Sequence, residues 1–145
     1  MNFEELMLRA VTNAETFKYT AKPNPVVGAI LCNDNEIISE GYHEIYGSNH
    51  AEINAISNAK KHQGKKFNNF SELALVCTLE PCSHVGKTGS CAEQIVETGI
   101  KKVVIGSIDP NPKVAGKGIE ILKKNGIDVT AVSYTHLTLP TTWLV

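Results

Sequence analysis

The sequence has little net charge, no long apolar run and no basic leader, and each shortage excludes a class of protein. Its 14 basic and 15 acidic residues leave a formal net charge of -1, so no basic surface for nucleic acid or an anionic membrane is predicted. Apolar residues make up 42% of the chain but occur in runs shorter than a membrane span. The N-terminus reads Met-Asn-Phe-Glu-Glu, with acids where a secretory signal carries Lys or Arg. We therefore expect a cytoplasmic protein with a small-molecule partner, no nucleic acid and no membrane.

Cysteines are also few. The four cysteines, in a chain without a secretory signal, predict metal ligands or buried thiols and not disulfides. Cys32 and Cys77 lie in apolar, strand-like runs, where a free cysteine behaves as a small hydrophobic residue. Cys82 and Cys91 flank a segment rich in Gly, Ser, Thr and His. Cys82 and Cys91 are therefore the candidate metal ligands among the four cysteines.

Hydrophobic patterning predicts one compact domain of alternating elements in the 145 residues. In order, the expected elements are a helix over 2–17, a hairpin of strands over 26–31 and 36–39, a helix beginning near residue 50, a strand over 73–79, a helix over 91–98, a strand over 103–105, a helix over 118–124 and a strand over 127–132. This alternation favours an α/β fold, a three-layer α/β/α sandwich around a five-stranded mixed sheet whose later strands are parallel.

The segment 133–145 differs from the rest of the chain. It has no charge, no clean periodicity and the lone Trp, and it resembles a translated linker more than the end of a natural domain. We expect the domain to occupy 1–132 and 133–145 to be a non-native tail. A genuine C-terminal tail is the alternative.

Three side chains in two clusters have the chemistry of a zinc site: His50, in a His-Ala-Glu triplet, and Cys82 and Cys91. Zinc prefers imidazole and thiolate ligands, and a catalytic zinc has three protein ligands with a fourth position left for water. Asn49 is expected to cap the second helix, with His50 in its first turn. Ser90 is expected to cap the third helix in a capping box, which places Cys91 where the positive helix end favours a thiolate.

Glu52 is the candidate catalytic residue. Bound zinc lowers the pKa of its water toward ~7. In a hydrolysis that removes an amino group from a nitrogen-containing ring, a carboxylate must then carry a proton to the ring nitrogen and to the departing ammonia. Because residues two apart on a regular helix point to nearly opposite sides, His50 and Glu52 share a site only at the helix start. The alternative is that Glu52 merely completes a capping box with Asn49.

The order of these motifs is more specific than any one of them. His-x-Glu at the start of a helix, followed by Pro-Cys at the end of the next strand and then another cysteine, matches the H-x-E and P-C-x-x-C pattern of zinc deaminases. This chain has eight residues between the cysteines instead of two. We predict a zinc-dependent hydrolase that removes an amino group from a pyrimidine-type ring.

The long inter-cysteine segment 81–91 resembles that of the riboflavin-biosynthesis pyrimidine deaminases. Three further stretches agree with the same family: the Pro-Asn-Pro-Val-Val-Gly of 23–28, the Gly-Tyr-His of 41–43 that leads to 50–52, and the Asp-Pro-Asn-Pro of 109–112. The similarity covers nearly the whole chain outside the tail. In one departure, Gly89-Ser90 stands where the family usually carries prolines, and we expect the loss of proline to make the segment more flexible.

The resemblance implies a cytidine-deaminase-like fold and deamination of diaminohydroxyphosphoribosylamino-pyrimidine to the corresponding uracil. It implies that bound Zn²⁺ is the cofactor and that the partner is a phosphorylated pyrimidine. It also implies substrate contacts at the ring from Asn24 and His43, from the inter-cysteine segment at His84, Lys87 and Thr88, and at the ribose-phosphate from Asp109 and Asn111. Bacterial relatives often continue into an NADPH-dependent reductase domain, which we expect to be absent here.

Several alternatives stay open. The chain could deaminate cytosine, guanine or tRNA adenosine, or it could be a silent structural zinc domain or a poorly folding fragment. Asn24 could simply set a turn, His43 could be a surface histidine, and Lys87 a solvated charge. His84 could become a fourth zinc ligand and close the water position. A homo-oligomer is equally open.

Overall fold

The computed structural model describes residues 2–17, 27–34, 36–43, 50–63, 70–83, 90–108, 112 and 115–132. These form helix α1 (Phe3–Ala14) followed by a 3-10 turn (Glu15–Phe17), strands β1 (Gly28–Cys32) and β2 (Ile37–Tyr42), helix α2 (Ala51–Gln63), strand β3 (Ala74–Leu79), helix α3 (Cys91–Thr98), strand β4 (Lys102–Ser107), helix α4 (Lys117–Lys124) and strand β5 (Asp128–Ala131). Every predicted helix and strand is therefore confirmed, with ends that differ by a few residues. The predicted tail, 133–145, lies outside the described residues. Among the helices described, none has the length and apolar character to cross a bilayer.

The strands form one mixed sheet in the order β2-β1-β3-β4-β5. β1 pairs antiparallel with both β2 and β3, whereas β3, β4 and β5 are parallel to one another. Parallel neighbours need a crossover connection, and α3 and α4 provide the two crossovers. The predicted five-stranded mixed sheet with parallel later strands is confirmed.

The two faces of the sheet are covered by different helices. Since successive side chains of a strand point to opposite faces, Leu75 and Cys77 of β3 pack in a cluster with α2, α3 and α4, while Val76 packs in a second cluster with α1. Cys32 lies in the α1 cluster, and both Cys32 and Cys77 are buried free thiols, as predicted. The result is the predicted three-layer sandwich.

Helix α2 packs closely against the edge strand β2. Gly41 allows this approach, because a Cβ at that position would overlap the backbone of α2. Two asparagines one turn apart on α2 donate side-chain hydrogen bonds to carbonyls of the strand: Asn54 to Tyr42 at 2.6 Å and Asn58 to Glu40 at 2.8 Å. These bonds satisfy carbonyls of an edge strand and hold the beginning of α2 beside the end of β2.

Candidate active site

Three side chains that are far apart in sequence meet at one edge of the sheet. Nδ1 of His50 lies 3.1 Å from the Cys91 Sγ and 3.7 Å from the Cys82 Sγ. The three possible ligand atoms all lie within 4.8 Å of one another. The structure therefore brings together the residues that sequence analysis proposed as metal ligands.

The ends of three elements create this meeting point. His50 directly precedes α2, and its carbonyl accepts the Asn54 N–H at 3.0 Å, so His50 is the N-cap residue and the helix begins one residue later than expected. Cys82 follows β3 after two residues, and Cys91 is the first residue of α3. Ser90 caps α3 as predicted, because its side chain accepts the Glu93 N–H at 3.1 Å.

Backbone groups of α3 also hold Cys82. Its Sγ accepts the Cys91 N–H at 3.3 Å, and its carbonyl accepts the Ala92 N–H at 3.1 Å. Both donors belong to the first turn of the helix, where N–H groups have no partner within the helix. The cysteine at the end of β3 is thus fixed relative to the cysteine at the start of α3.

This donor set fits zinc. In a tetrahedral site with bonds of about 2.0–2.3 Å, neighbouring ligand atoms lie about 3.3–3.8 Å apart, which is close to the nitrogen–sulfur distances of 3.1 and 3.7 Å. One imidazole and two thiolates are ligands that zinc prefers, and three ligands leave one position for a water molecule.

The electrostatics of the cluster favour a thiolate. The pKa of Cys82 is lowered to about 4, chiefly because the Cys91 thiol donates a hydrogen bond to it, with further help from His50 and the Cys91 N–H. The same contact raises the pKa of Cys91, and burial adds to that rise. Pairing with Cys82 raises the pKa of His50. These shifts favour a thiolate at Cys82 and a protonated thiol at Cys91.

Glu52, on the first turn of α2, is buried beside these groups with 3% of its surface exposed. Burial raises its pKa to about 6, although contact with the Cys91 thiol and the charge of His50 oppose the rise. His50 and Glu52 share one site, as expected, because His50 precedes the helix and is not bound to its 100° rotation per residue.

His43 is placed against the cluster. It follows β2 with 3% of its surface exposed, its N–H donates to the Val27 carbonyl at 3.1 Å, and its ring meets the His50 ring edge-on at 5.5 Å between centroids. The alternative of a surface histidine is wrong. Its proposed contact with a substrate ring stays a prediction.

The other proposed substrate contacts lie outside the described residues. These are Asn24, His84, Lys87, Thr88, Asp109 and Asn111. Their roles in substrate binding remain predictions. Asn49, the expected cap of α2, is also outside the described residues, and His50 occupies the cap position instead.

Sequence analysis missed Glu80. This acidic residue directly follows β3, two positions before Cys82, is 5% exposed, and accepts the backbone N–H groups of Gly116 at 2.8 Å and Ile119 at 3.4 Å. A charged residue directly after a buried apolar strand was the available signal, because a carboxylate in that position needs partners.

The chain is similar to proteins of one known family. A family model for the zinc-binding region of cytidine and deoxycytidylate deaminases matches residues 1–107. The chain is similar to the diaminohydroxyphosphoribosylamino-pyrimidine deaminase of Buchnera aphidicola subsp. Schizaphis graminum, with 46% identity over 123 residues, which cover 85% of this chain and 79% of that protein. It is 41% identical over 130 residues to the riboflavin biosynthesis protein RibD of Escherichia coli, covering 90% of this chain and 34% of that protein.

Solved structures agree with the fold. One is the diaminohydroxyphosphoribosylaminopyrimidine deaminase/5-amino-6-(5-phosphoribosylamino)uracil reductase of Thermotoga maritima. It aligns with a TM-score of 0.78 and 43% identity, over 89% of this chain and 36% of that one. A RibD from Acinetobacter baumannii aligns with a TM-score of 0.79 and 40% identity, over 89% of this chain and 34% of that one. This chain thus spans about a third of these longer proteins, at 34% and 36% of their length.

Proposed function

Because the chain belongs to the cytidine and deoxycytidylate deaminase family, and within it to the diaminohydroxyphosphoribosylamino-pyrimidine deaminases, we propose that it deaminates this phosphorylated pyrimidine in riboflavin biosynthesis. The observation that carries the proposal is the convergence of His50, Cys82 and Cys91 beside a buried Glu52. The reaction adds water to the ring carbon that bears the amino group and releases ammonia, so the product is the corresponding uracil.

In this proposal, Nδ1 of His50 and the thiolates of Cys82 and Cys91 hold zinc. When bound, the metal would lower the pKa of a water molecule, so that the nucleophile is available at neutral pH. The lowered pKa of Cys82, about 4, favours a thiolate before any metal arrives. The hydrogen bonds from α3 to Cys82 hold the two sulfur atoms in place. Less conformational entropy of the ligands is therefore lost when the metal binds.

Glu52 carries the protons. Its carboxylate takes a proton from the attacking water, gives it to the neighbouring ring nitrogen, and then assists transfer to the departing amine. Burial raises the pKa of Glu52 in the metal-free protein, and a carboxyl group whose pKa lies closer to neutral pH is better suited both to accept and to donate a proton. His43 forms part of the wall around the ring, and its buried position beside His50 supports that role.

The remaining substrate contacts follow the family resemblance. Asn24 is proposed to bind the ring, while His84, Lys87 and Thr88 contact the substrate from the inter-cysteine segment. Asp109 and Asn111 are proposed to bind the ribose-phosphate portion. The cytoplasmic location and any homo-oligomer remain predictions.

Ammonia release and zinc content test the proposal together. The wild type and three variants, Glu52→Gln, Cys82→Ala and Cys32→Ala, are purified, supplied with zinc and given the phosphoribosylamino-pyrimidine. We expect Glu52→Gln to retain zinc and lose at least about 3 kcal/mol of transition-state stabilisation, roughly a hundredfold in kcat/KM. Cys82→Ala should lose zinc and activity together, because it removes a ligand.

Cys32→Ala is the matched control, since it removes a buried cysteine from the α1 cluster. It should keep zinc and activity. A zinc-loaded wild type that releases no ammonia from this substrate or from cytidine would leave a structural zinc domain as the better explanation. Activity on cytidine alone would move the chain to a different deaminase specificity.

A further inference from the structure

Asn54 joins the start of α2 to the end of β2. Its backbone N–H donates to the His50 carbonyl at 3.0 Å, which closes the first turn of the helix. Its side-chain Nδ2 donates to the Tyr42 carbonyl at 2.6 Å. That carbonyl belongs to the peptide group that links Tyr42 to His43. One residue of α2 therefore bonds both to the backbone of His50 and to the peptide group that carries the His43 N–H.

The peptide group between Tyr42 and His43 is bonded on both sides. Its carbonyl accepts the Asn54 amide, and its N–H donates to the Val27 carbonyl at 3.1 Å. The first bond comes from α2 and the second from the residue that precedes β1. Because turning this peptide group would break one bond or the other, the backbone of His43 is held between the helix and the sheet.

The His43 ring lies against the proposed metal ligand His50. The two ring centroids are 5.5 Å apart and the ring planes meet at 85°, with His43 only 3% exposed. Nδ1 of His50 lies 3.1 Å from the Cys91 Sγ. A buried ring packed edge-on against an imidazole limits the rotation of that imidazole about its bond to Cβ. The position of His43 thus bears on the direction in which His50 presents its nitrogen.

We propose that Asn54 is a positioning residue for the metal site. By holding the peptide group before His43, it keeps the His43 ring against His50 and so orients His50 as a ligand. This role rests on the proposed function, in which His50 binds zinc. Groups that hold a metal-binding histidine in orientation typically account for about 10–100-fold in metal affinity.

Zinc affinity, measured by competition with a chromophoric chelator, tests this role. Asn54→Ala removes the donor to Tyr42, and we expect it to weaken zinc binding about tenfold. Asn58→Ala is the matched control, because the same residue type stands one turn later on α2 and donates to the Glu40 carbonyl of the same strand at 2.8 Å. It should lower the urea midpoint about as much as Asn54→Ala does, and it should keep zinc affinity within about twofold of wild type.

A second pair of variants covers the case in which Asn54→Ala does not fold. Asn54→Asp keeps the shape of the side chain, but an ionised carboxylate has no proton to donate. It should also bind zinc about tenfold more weakly, although its added negative charge by itself favours a cation. Asn58→Asp places the same charge on the same helix and should not weaken zinc binding.

A double-mutant cycle tests whether Asn54 acts through His43. His43→Ala should itself weaken zinc binding about tenfold. In that background, Asn54→Ala should change the affinity by less than about twofold, because residues that act through one unit are not additive. Amide hydrogen exchange of the zinc-loaded protein tests the contact directly. The His43 N–H should exchange at least about tenfold faster in Asn54→Ala and at the wild-type rate in Asn58→Ala.

Four results would each overturn the role of Asn54. These are unchanged zinc affinity in the Asn54 variants, an equal loss of affinity in the matching Asn58 variants, a full loss that persists in the His43→Ala background, and unchanged exchange at His43. If the wild type binds zinc but releases no ammonia, the proposed function fails while the zinc affinities still decide the role of Asn54. A wild type that binds no zinc overturns both.

Discussion

Glu52→Gln should make the metal-free protein more stable at neutral pH, although it removes the proposed catalytic carboxylate. In the folded protein Glu52 is 3% exposed, and burial raises its pKa from 4.5 to about 6. Since one pKa unit corresponds to about 1.4 kcal/mol, the ionised form costs roughly 2 kcal/mol of folding free energy. Glutamine has nearly the same shape and carries no charge, so it avoids this cost.

The sign of the effect sets its dependence on pH. The folded pKa lies above the unfolded one, so the folded state binds the proton more tightly and ionisation of Glu52 opposes folding. The cost is absent below about pH 4.5 and complete above about pH 6. Bound zinc favours the ionised carboxylate by its positive charge. The advantage of glutamine should therefore shrink when zinc is added.

Urea unfolding in the presence of a chelator measures this prediction. The difference in unfolding free energy between Glu52→Gln and wild type should be larger by about 2 kcal/mol at pH 7.5 than at pH 4. Glu97→Gln, at an exposed carboxylate on α3, is the control and should stay within about 0.5 kcal/mol of wild type at both values. A Glu52→Gln difference that does not change with pH would refute the argument that burial raises the pKa of Glu52.

Two contacts of the fold allow matched comparisons of stability by urea unfolding. Gly118→Ala should destabilise the protein by about 2–3 kcal/mol, because the added Cβ meets a backbone oxygen. Gly126→Ala should cost only about 1 kcal/mol, because its Cβ enters open space and the only strain is the φ of 82°. Asn58→Ala leaves the Glu40 carbonyl without its 2.8 Å bond and should cost about 1–2 kcal/mol, while Lys61→Ala on the exposed side of α2 should stay within about 0.5 kcal/mol. Equal losses within either pair would contradict the packing described.

Sequence analysis predicted most of the fold because local chemistry governs where elements begin and end. Helix α3 occupies the predicted range 91–98, with Ser90 as its side-chain cap at one end and Gly99, whose φ is 87°, at the other. The buried thiols Cys32 and Cys77 followed from their apolar neighbours. In each of these cases, the physical cause lies within a few residues of the position predicted.

Contacts between distant elements had no comparable signal. Glu80 reaches across 36 residues to Gly116, and Asn58 reaches back 18 residues to Glu40. Patterns among neighbouring residues do not reveal such partners, because residues far apart in sequence become neighbours only when the strands and helices pack together. The close packing of Gly118 on Pro81 belongs to the same class, since it depends on where α4 crosses the end of β3.

The metal cluster depends partly on the sequence alone and partly on the tertiary structure. The donor chemistry of one imidazole and two thiols belongs to the side chains themselves, so their types and order along the chain were enough to predict zinc. Their meeting within 4.8 Å needed the fold, because His50 and Cys91 are 41 residues apart and come together only where β3 ends and α2 and α3 begin. Burial beside this cluster then sets the pKa of Glu52, a property that arises from packing and not from the residue alone.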